Sequence, residues 1–187
     1  MTAQPLSATH SDGDLVRRCQ GGDRESFRQL YRRHQHKVRS TLYQLCGPSE
    51  LDDRVQEVFL RAWKGLPRLK QPDTFATWLY RICWNVATDG RRALARWRDR
   101  DRQLRSVTEI SSGDRATQDL HYRDLVQRGL ARLSIELRSV IVLHDLEDLP
   151  QKQVAEILDI PVGTVKSRLF KARSTLRQFF ETEGVQL

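Results

Sequence analysis

The residues SELDDRVQEVFLRAWKGLPRLKQPDTFATWLYRICWNVATDGRR, Ser49 to Arg92, hold two helical patterns that each keep a second face besides the core one. In the first, Leu51, Val55, Val58, Ala62 and Leu66 recur at helical spacing behind Ser49, an N-cap type followed by Glu50, Asp52 and Asp53. Opposite that stripe Asp53, Gln56, Glu57 and Leu60 fall at i, i+3, i+4 and i+7, so carboxylates, an amide and an apolar side chain share one outward row. Such a row is either solvated or a docking face.

The second pattern, opened by Asp73 or Thr74 as cap, predicts a narrow buried stripe of Phe75, Leu79, Ile82 and Val86. Beside it runs Trp78 with Arg81, Asn85, Thr88 and Arg92. A π-face, a bidentate amide and guanidinium groups are what a protein needs to stack an unpaired base, bond its edge and hold its phosphate. Trp78 serves equally well as packing, as aromatics at the margin of an apolar stripe do. Tyr80 and Trp84, with Arg91, form a rival aromatic face whose plainer use is packing against the helices before Ser49.

N-terminal to this stretch, Asp14 to Gln20 predicts a short helix with Leu15, Val16 and Cys19 inward, closed by Gly21-Gly22. A long helix follows, capped by Asp23, with Phe27, Leu30, Tyr31, Val38, Leu42 and Leu45 inward until Gly47-Pro48 stops it. Four amphipathic helices joined by short loops predict one helical module, residues 14–98, behind a disordered tail, residues 1–13. Between the second pair, Arg68 and Lys70 sit in a loop stiffened by Pro67 and Pro72.

C-terminal to it, apolar spacing fades after Trp97 among Arg96, Arg98, Arg100, Arg102 and Arg105. Residues 99–118 have too few large apolar side chains to offset their ordering entropy, so a flexible linker is expected. A second module, residues 119–187, begins with a helix on Leu125, Leu130 and Leu133 and another capped by Ser134 on Ile135, Leu137, Val140, Ile141 and Leu143. Pro150 opens QKQVAEIL, and after Asp159-Ile160-Pro161 a last helix is expected to bury Val162, Val165, Leu169, Ala172, Leu176 and Phe180. Helix, tight turn, helix is the geometry of a helix-turn-helix. Opposite the last core stripe stand Thr164, Ser167, Arg168 and Lys171, flanked by Lys166, Phe170 and Arg177. An aromatic among cations gains little in water but meets a thymine methyl or base edge well. No strand pattern appears, and the fold class expected is all-α, two small helical domains with the second a helix-turn-helix.

Composition sets the partner class. At 187 residues and 39% hydrophobic content the chain buries one modest core or two small ones. Net charge is +8, from 32 Lys+Arg against 24 Asp+Glu, which points to a polyanion. No apolar run approaches the ~20 residues of a spanning helix, so membrane insertion is not expected. The first residues, MTAQPLSATHSDGD, lack a basic start and an apolar run, and a cytoplasmic location is expected. Cys19, Cys46 and Cys83 are far apart and in no paired spacing, which suits small reduced core residues. His34 and His36 have no third ligand nearby, so no metal and no cofactor is expected. No convergent carboxylate cluster, phosphate-cradling Gly-rich loop or nucleophile with a base points to an enzyme.

With these pieces in order the chain resembles the extracytoplasmic-function class of bacterial sigma factors, the initiation subunits of RNA polymerase. The segment DRVQEVFLRAWKG, from Asp53, resembles the family's polymerase-docking helix; TFATWLYRICWN, from Thr74, its promoter-melting helix; IPVGTVKSRLFKARSTLR, from Ile160, its upstream-element recognition helix. The resemblance covers roughly Asp14 to Arg98 and Asp119 to Glu181. It implies that Asp53, Gln56 and Glu57, with Leu60 on the same row, grip the coiled coil of the polymerase's largest subunit. Pro67 to Asn85 then opens the downstream promoter box, with Arg68, Lys70, Trp78, Arg81, Asn85 and Arg92 on the melted strand and Asn85 at a base-contacting position. Thr164, Lys166, Ser167, Arg168, Phe170 and Lys171 are implied to face the duplex upstream box. A sigma subunit has core polymerase and promoter DNA, duplex and melted, as partners, and an anti-sigma factor as a possible third. Two positions depart from the family pattern: Arg54 stands where an apolar residue is usual, and Asp159 where Gly is common. The competing class is an autonomous helix-turn-helix regulator, which has no use for a carboxylate row beside its basic surface.

Overall fold

A computed structural model describes the backbone of residues 10–100 and 117–185 and the side chains of residues 10–89 and 124–185. The expected tail and linker lie mostly outside these residues. Helices α1 (Asp12–Gln20), α2 (Arg24–Cys46), α3 (Leu51–Gly65) and α4 (Phe75–Arg100) form the first unit. Helices α5 (Thr117–Arg132), α6 (Ile135–Ile141), α7 (Gln151–Leu158) and α8 (Val162–Thr182) form the second. All regular structure among the described residues is helical.

Local chemistry fixes most boundaries. Ser11 caps α1 in a reciprocal box with Asp14, so the helix starts two residues before the position expected from Asp14. The Ser11 hydroxyl, with help from Arg17, holds the Asp14 carboxyl down at about 2. Asp23 caps α2 by accepting from the Glu25 and Ser26 amides, as expected. Ser49 does not cap α3. That position falls to Glu50, whose backbone is left-handed at φ 55°, because the Leu51 amide folds back onto the Pro48 carbonyl. Neither Asp73 nor Thr74 caps α4 in the expected way: Pro72–Thr74 is a 3-10 turn that runs directly into Phe75, and the Thr74 hydroxyl donates to the Gln71 carbonyl.

In the first unit Leu15, Leu30, Leu42, Leu45, Val58, Leu66 and Phe75 are sealed from solvent. His34 works in helix packing, its ring edge-on to Phe75 and its Nε2 2.6 Å from Asp12. That hydrogen bond is the main reason the Asp12 carboxyl titrates below its usual range. Tyr31, expected inside, is 38% exposed.

In the second unit Ser134 caps α6, which continues into a π turn over Val142–Leu146. Asp159 ends α7 in the left-handed region at φ 54°, ψ 50°, and its amide donates to the Ala155 carbonyl. Asp thus supplies the backbone that Gly gives elsewhere, as its short polar side chain permits. In α8 it is Phe179, not Phe180, that is buried. Gly129 of α5 leaves the notch: a Cβ there would stand 3.1 Å from the Phe179 ring.

The two units pack together. Their apolar residues form one connected core, in which Leu42, Leu45 and Cys83 of the first unit join Leu130, Leu133, Val142 and Leu143 of the second. Burial in that core raises the Cys83 thiol pKa, and it lifts the Cys19 thiol to about 11, so both are kept as neutral apolar groups.

Candidate docking and nucleic-acid surfaces

The α3 row emerges as its spacing predicts. Asp53 and Gln56 are exposed, Glu57 is half-exposed and Leu60 is 44% exposed. Glu57 accepts from Arg61 Nε at 2.7 Å, and Arg61 reaches on to Asp89 of α4 at 2.8 Å. The two carboxylates, Asp89 first, raise the Arg61 pKa. Beside the row lies an apolar cleft of about 460 Å³ lined by Phe27, Tyr31, Gln56, Phe59, Leu60 and Trp63. Trp63, 38% exposed, had no assignment from the sequence. Its spacing of i+3 from Leu60 and i+7 from Gln56 puts it on the same row and was the available signal. The surface therefore joins an acidic rim to an aromatic floor, a combination suited to a protein partner.

The α4 face is built differently. Two short turns, Leu66–Arg68 and Pro72–Thr74, carry the loop between α3 and α4. Gln20 fixes this loop from α1, its side-chain amide donating to the Leu66 carbonyl at 3.1 Å and the Leu69 carbonyl at 2.9 Å. Sequence reasoning passed over Gln20, since nothing local ties it to a loop 46 residues away. Arg68 and Lys70 are exposed on the loop. Trp78 is half-buried against Gly65, where a Cβ would stand 2.8 Å from the indole. Its two readings thus coexist: part of the ring packs, and the rest faces a cleft of about 360 Å³ shared with Leu69, Lys70, Thr77 and Arg81. Asn85 is exposed one turn on, and Arg92 lies in α4 beyond the described side chains. Tyr80 is buried, but its hydroxyl goes to Glu147 of the second unit rather than to the helices before Ser49.

The α8 face is open. Lys166, Ser167 and Lys171 are exposed, Thr164 and Arg168 half-exposed, and Phe170 is 79% exposed, the most of any large apolar side chain described. Arg173 anchors the helix from its flank, donating to both oxygens of Asp145 at 3.0 and 2.6 Å. Pro161 and the left-handed Asp159 set the angle between α7 and α8.

A pair of helical units with these three faces is the architecture of a sigma subunit. Residues 30–102 match the Sigma-70 region 2 family model and residues 123–176 the Sigma-70 region 4 model. The chain is 34% identical over 181 residues to the ECF RNA polymerase sigma-E factor of Escherichia coli K12, covering 91% of this chain and 95% of that protein. It is 32% identical over 176 residues to the sigma-E factor of Haemophilus influenzae, covering 89% and 93%. Among solved structures it is similar to CnrH in complex with the cytosolic domain of CnrY, with TM-score 0.71, 25% identity and 92% and 99% of the two chains covered. It also shares the fold of the sigma factor RpoE from Bartonella quintana, solved with the anti-sigma factor NepR, with TM-score 0.71, 23% identity and 84% and 98% covered. The chain belongs to the ECF family of RNA polymerase sigma factors.

Proposed function

We propose that this sigma factor divides its work among the three faces just described. Asp53, Gln56, Glu57 and Leu60, with Trp63 and the cleft beside them, dock on the coiled coil of the polymerase's largest subunit. Lys70, Trp78, Arg81 and Asn85, with Arg68 and Arg92 at the ends of the face, take up the downstream promoter box once its strands part. Thr164, Lys166, Ser167, Arg168, Phe170 and Lys171 read the duplex upstream box in the major groove. The functional units are residues 14–98 and 119–187, joined by 99–118 so that two modest DNA contacts combine through effective concentration.

On this reading the chain is a specificity subunit that turns over no substrate, and it acts in the cytoplasm beside the polymerase. No described helix is long and apolar enough to cross a membrane. An anti-sigma protein is a further partner, supported by the complexes in which both similar structures were solved.

The observation that carries the reading is the acidic row and aromatic cleft on α3, on a chain of net charge +8. A protein that met only DNA would be weakened by carboxylates there. Run-off transcription with purified core polymerase on a promoter library tests it. Transcripts that appear only when the chain is added are expected. Retardation of duplex DNA without polymerase, and no transcripts with it, would instead make the chain an autonomous regulator.

A further inference from the structure

We infer that Gln20 of α1 is a specificity-determining residue for the downstream promoter box, because it holds the loop between α3 and α4 in the shape from which its side chains select bases. Gln20 acts through the loop backbone, as a positioning residue. The inference rests on the assignment of this loop and the α4 row to the melted strand.

The loop is short of internal support. Pro67 and Pro72 have no amide hydrogen to donate, and the first turn, Leu66–Arg68, is closed by the Leu69 amide on the Leu66 carbonyl at 3.1 Å. A 3-10 turn of this length has poor hydrogen-bond geometry of its own. The side-chain amide of Gln20 has two N–H groups and directs them to the two ends of that turn, the Leu66 carbonyl at 3.1 Å and the Leu69 carbonyl at 2.9 Å. These two carbonyls bracket Arg68, and Lys70 follows the second directly. Both cations are exposed, so the backbone beneath them is what fixes where they start.

The other end of the loop meets the same helix. Gly13 is buried where a Cβ would stand 2.0 Å from Asp73 Oδ1, and Arg17 reaches Asp73 at 3.5 Å. Helix α1 thus runs along the loop from Gln20 at its first turn to Gly13 at its second, and is itself seated by Leu15 and Val16, both sealed from solvent. The first turn also adjoins the seat of Trp78, whose indole lies on Gly65, the residue before Leu66. A shift of the turn therefore reaches the stacking ring as well as the two cations.

Loosening such a loop has an uneven effect. A cation meets phosphates from many loop shapes, and that contact carries no sequence information. A base edge or ring face is met from few. The preferred sequence then loses its base contacts while all sequences keep the phosphate contacts, so preference falls and the charge-driven part of binding stays. A general loss of fold would lower both.

The test uses holoenzyme assembled from core polymerase and the full chain, either unaltered or with Gln20→Ala, Gln20→Glu or Gln20→Lys. The glutamate variant keeps the shape but offers the two carbonyls no donor, and the lysine variant restores donors at similar reach. Hydrogen exchange of the full chain reads the loop, residues 66–74. Selection from premelted templates randomised over the unpaired segment reads base preference. Gln20 is exposed, so thermal unfolding and core affinity should match the unaltered chain in every variant. In the alanine and glutamate variants the loop amides are expected to exchange about tenfold faster. Base preference should fall about fivefold, the worth of one net hydrogen bond, with the slope of log affinity against log salt unchanged. Gln20→Lys should restore both slow exchange and preference. Unchanged loop exchange overturns the clamp, and a loosened loop with unchanged preference overturns its role in selection. Lys70→Ala and Asn85→Ala, run in parallel, separate that second result from a failure of the strand assignment. If they alter strand binding or selection, the face reads the strand and Gln20 alone is excluded; if they alter neither, the strand assignment falls and this inference with it.

Discussion

The α4 and α8 faces carry nearly the same chemistry and stand in opposite situations. Each offers an aromatic ring, a small polar side chain and two or more cations at helical spacing. On α8 the aromatic Phe170 is 79% exposed and the helix is held from behind, by its buried Val165, Leu169 and Ala172 and by Asp145 on Arg173. On α4 the aromatic Trp78 is wedged on Gly65, and Arg81 already has an acceptor in α7. Duplex DNA presents its base edges and phosphates at all times, and an open face is enough to meet it. An unpaired strand exists only after melting, and extrusion of a base costs a few kcal/mol. A face whose ring is already fixed by packing meets it with less of that side chain left to order.

The largest effect should come from a surface that serves both faces. Glu57→Lys places a cation beside Arg61, which now bridges Glu57 and Asp89, and reverses the charge offered to the polymerase. A loss of roughly 2 to 5 kcal/mol in affinity for core polymerase is expected, as for charged partners at an interface. Both promoter contacts should then fail together, while circular dichroism of the isolated chain stays native. Unaltered affinity in a calorimetric titration would remove α3 as the docking helix.

Next come the two faces themselves. Lys171→Ala should weaken binding to duplex promoter by roughly 1 to 3 kcal/mol and relax selection at the base it contacts, with opening intact. Asn85→Ala should leave duplex binding alone and lose a similar or smaller energy on templates that must open. Permanganate footprinting of unpaired thymines, beside equilibrium binding to duplex and bubble templates, distinguishes the stages. If either substitution acts at the other's stage, the two faces do not divide the work.

Acid offers a smaller, reagent-free comparison. The described carboxylates with lowered pKa, Asp12, Asp14 and Asp23, all sit at the α1 and α2 ends of the first unit. Their folded-state pKa lies below the unfolded value of about 3.9, so their stabilisation is complete above it. It is lost as pH falls through the folded values, about 2 for Asp14. The four tryptophans, Trp63, Trp78, Trp84 and Trp97, also belong to the first unit. Tryptophan fluorescence should therefore change at higher pH than far-ultraviolet circular dichroism, which sees both units. Coincident transitions would mean that the seam makes the two faces one cooperative body.

What was legible in the sequence was local. Helix limits follow Asp23, Gly47-Pro48, Ser134, Pro150 and Pro161, because caps and breakers act within one turn. The outward rows of α3 and α8 follow from periodicity for the same reason. The failures have distant causes. Phe179 rather than Phe180 turns inward because Gly129, fifty residues away, leaves the notch. Arg138 and Glu147 read as ordinary polar residues, yet their partners at Leu45, Thr41 and Tyr80 lie in the other unit. No pattern in the chain marks a seam whose two sides are each complete amphipathic helices. The α4 row was therefore visible as chemistry, and its contact with α7 through Arg81 was not.

The smallest effect concerns Arg54, and it should leave the contrast between the faces untouched. The family pattern puts an apolar residue here, and the Arg54 side chain is only 14% exposed. Its Nη2 reaches Glu50 at 3.2 Å, but Nε and Nη1 are buried without a hydrogen-bond partner. A solvated pair of this kind contributes about 0 to 1 kcal/mol, whereas each buried unpaired donor costs about 1 to 3. Met has nearly the reach of the Arg stem and no donors to satisfy. Arg54→Met should accordingly raise stability by about 1 kcal/mol, a shift of roughly 2 to 4 °C in Tm at this chain length. Differential scanning calorimetry checks it, with duplex and bubble binding as controls that should not move. A lower Tm would show that the bond to Glu50 outweighs the two buried N–H groups, so that the cation stabilises the start of α3. A change in only one of the two binding controls would show that α3 bears on one face more than the other.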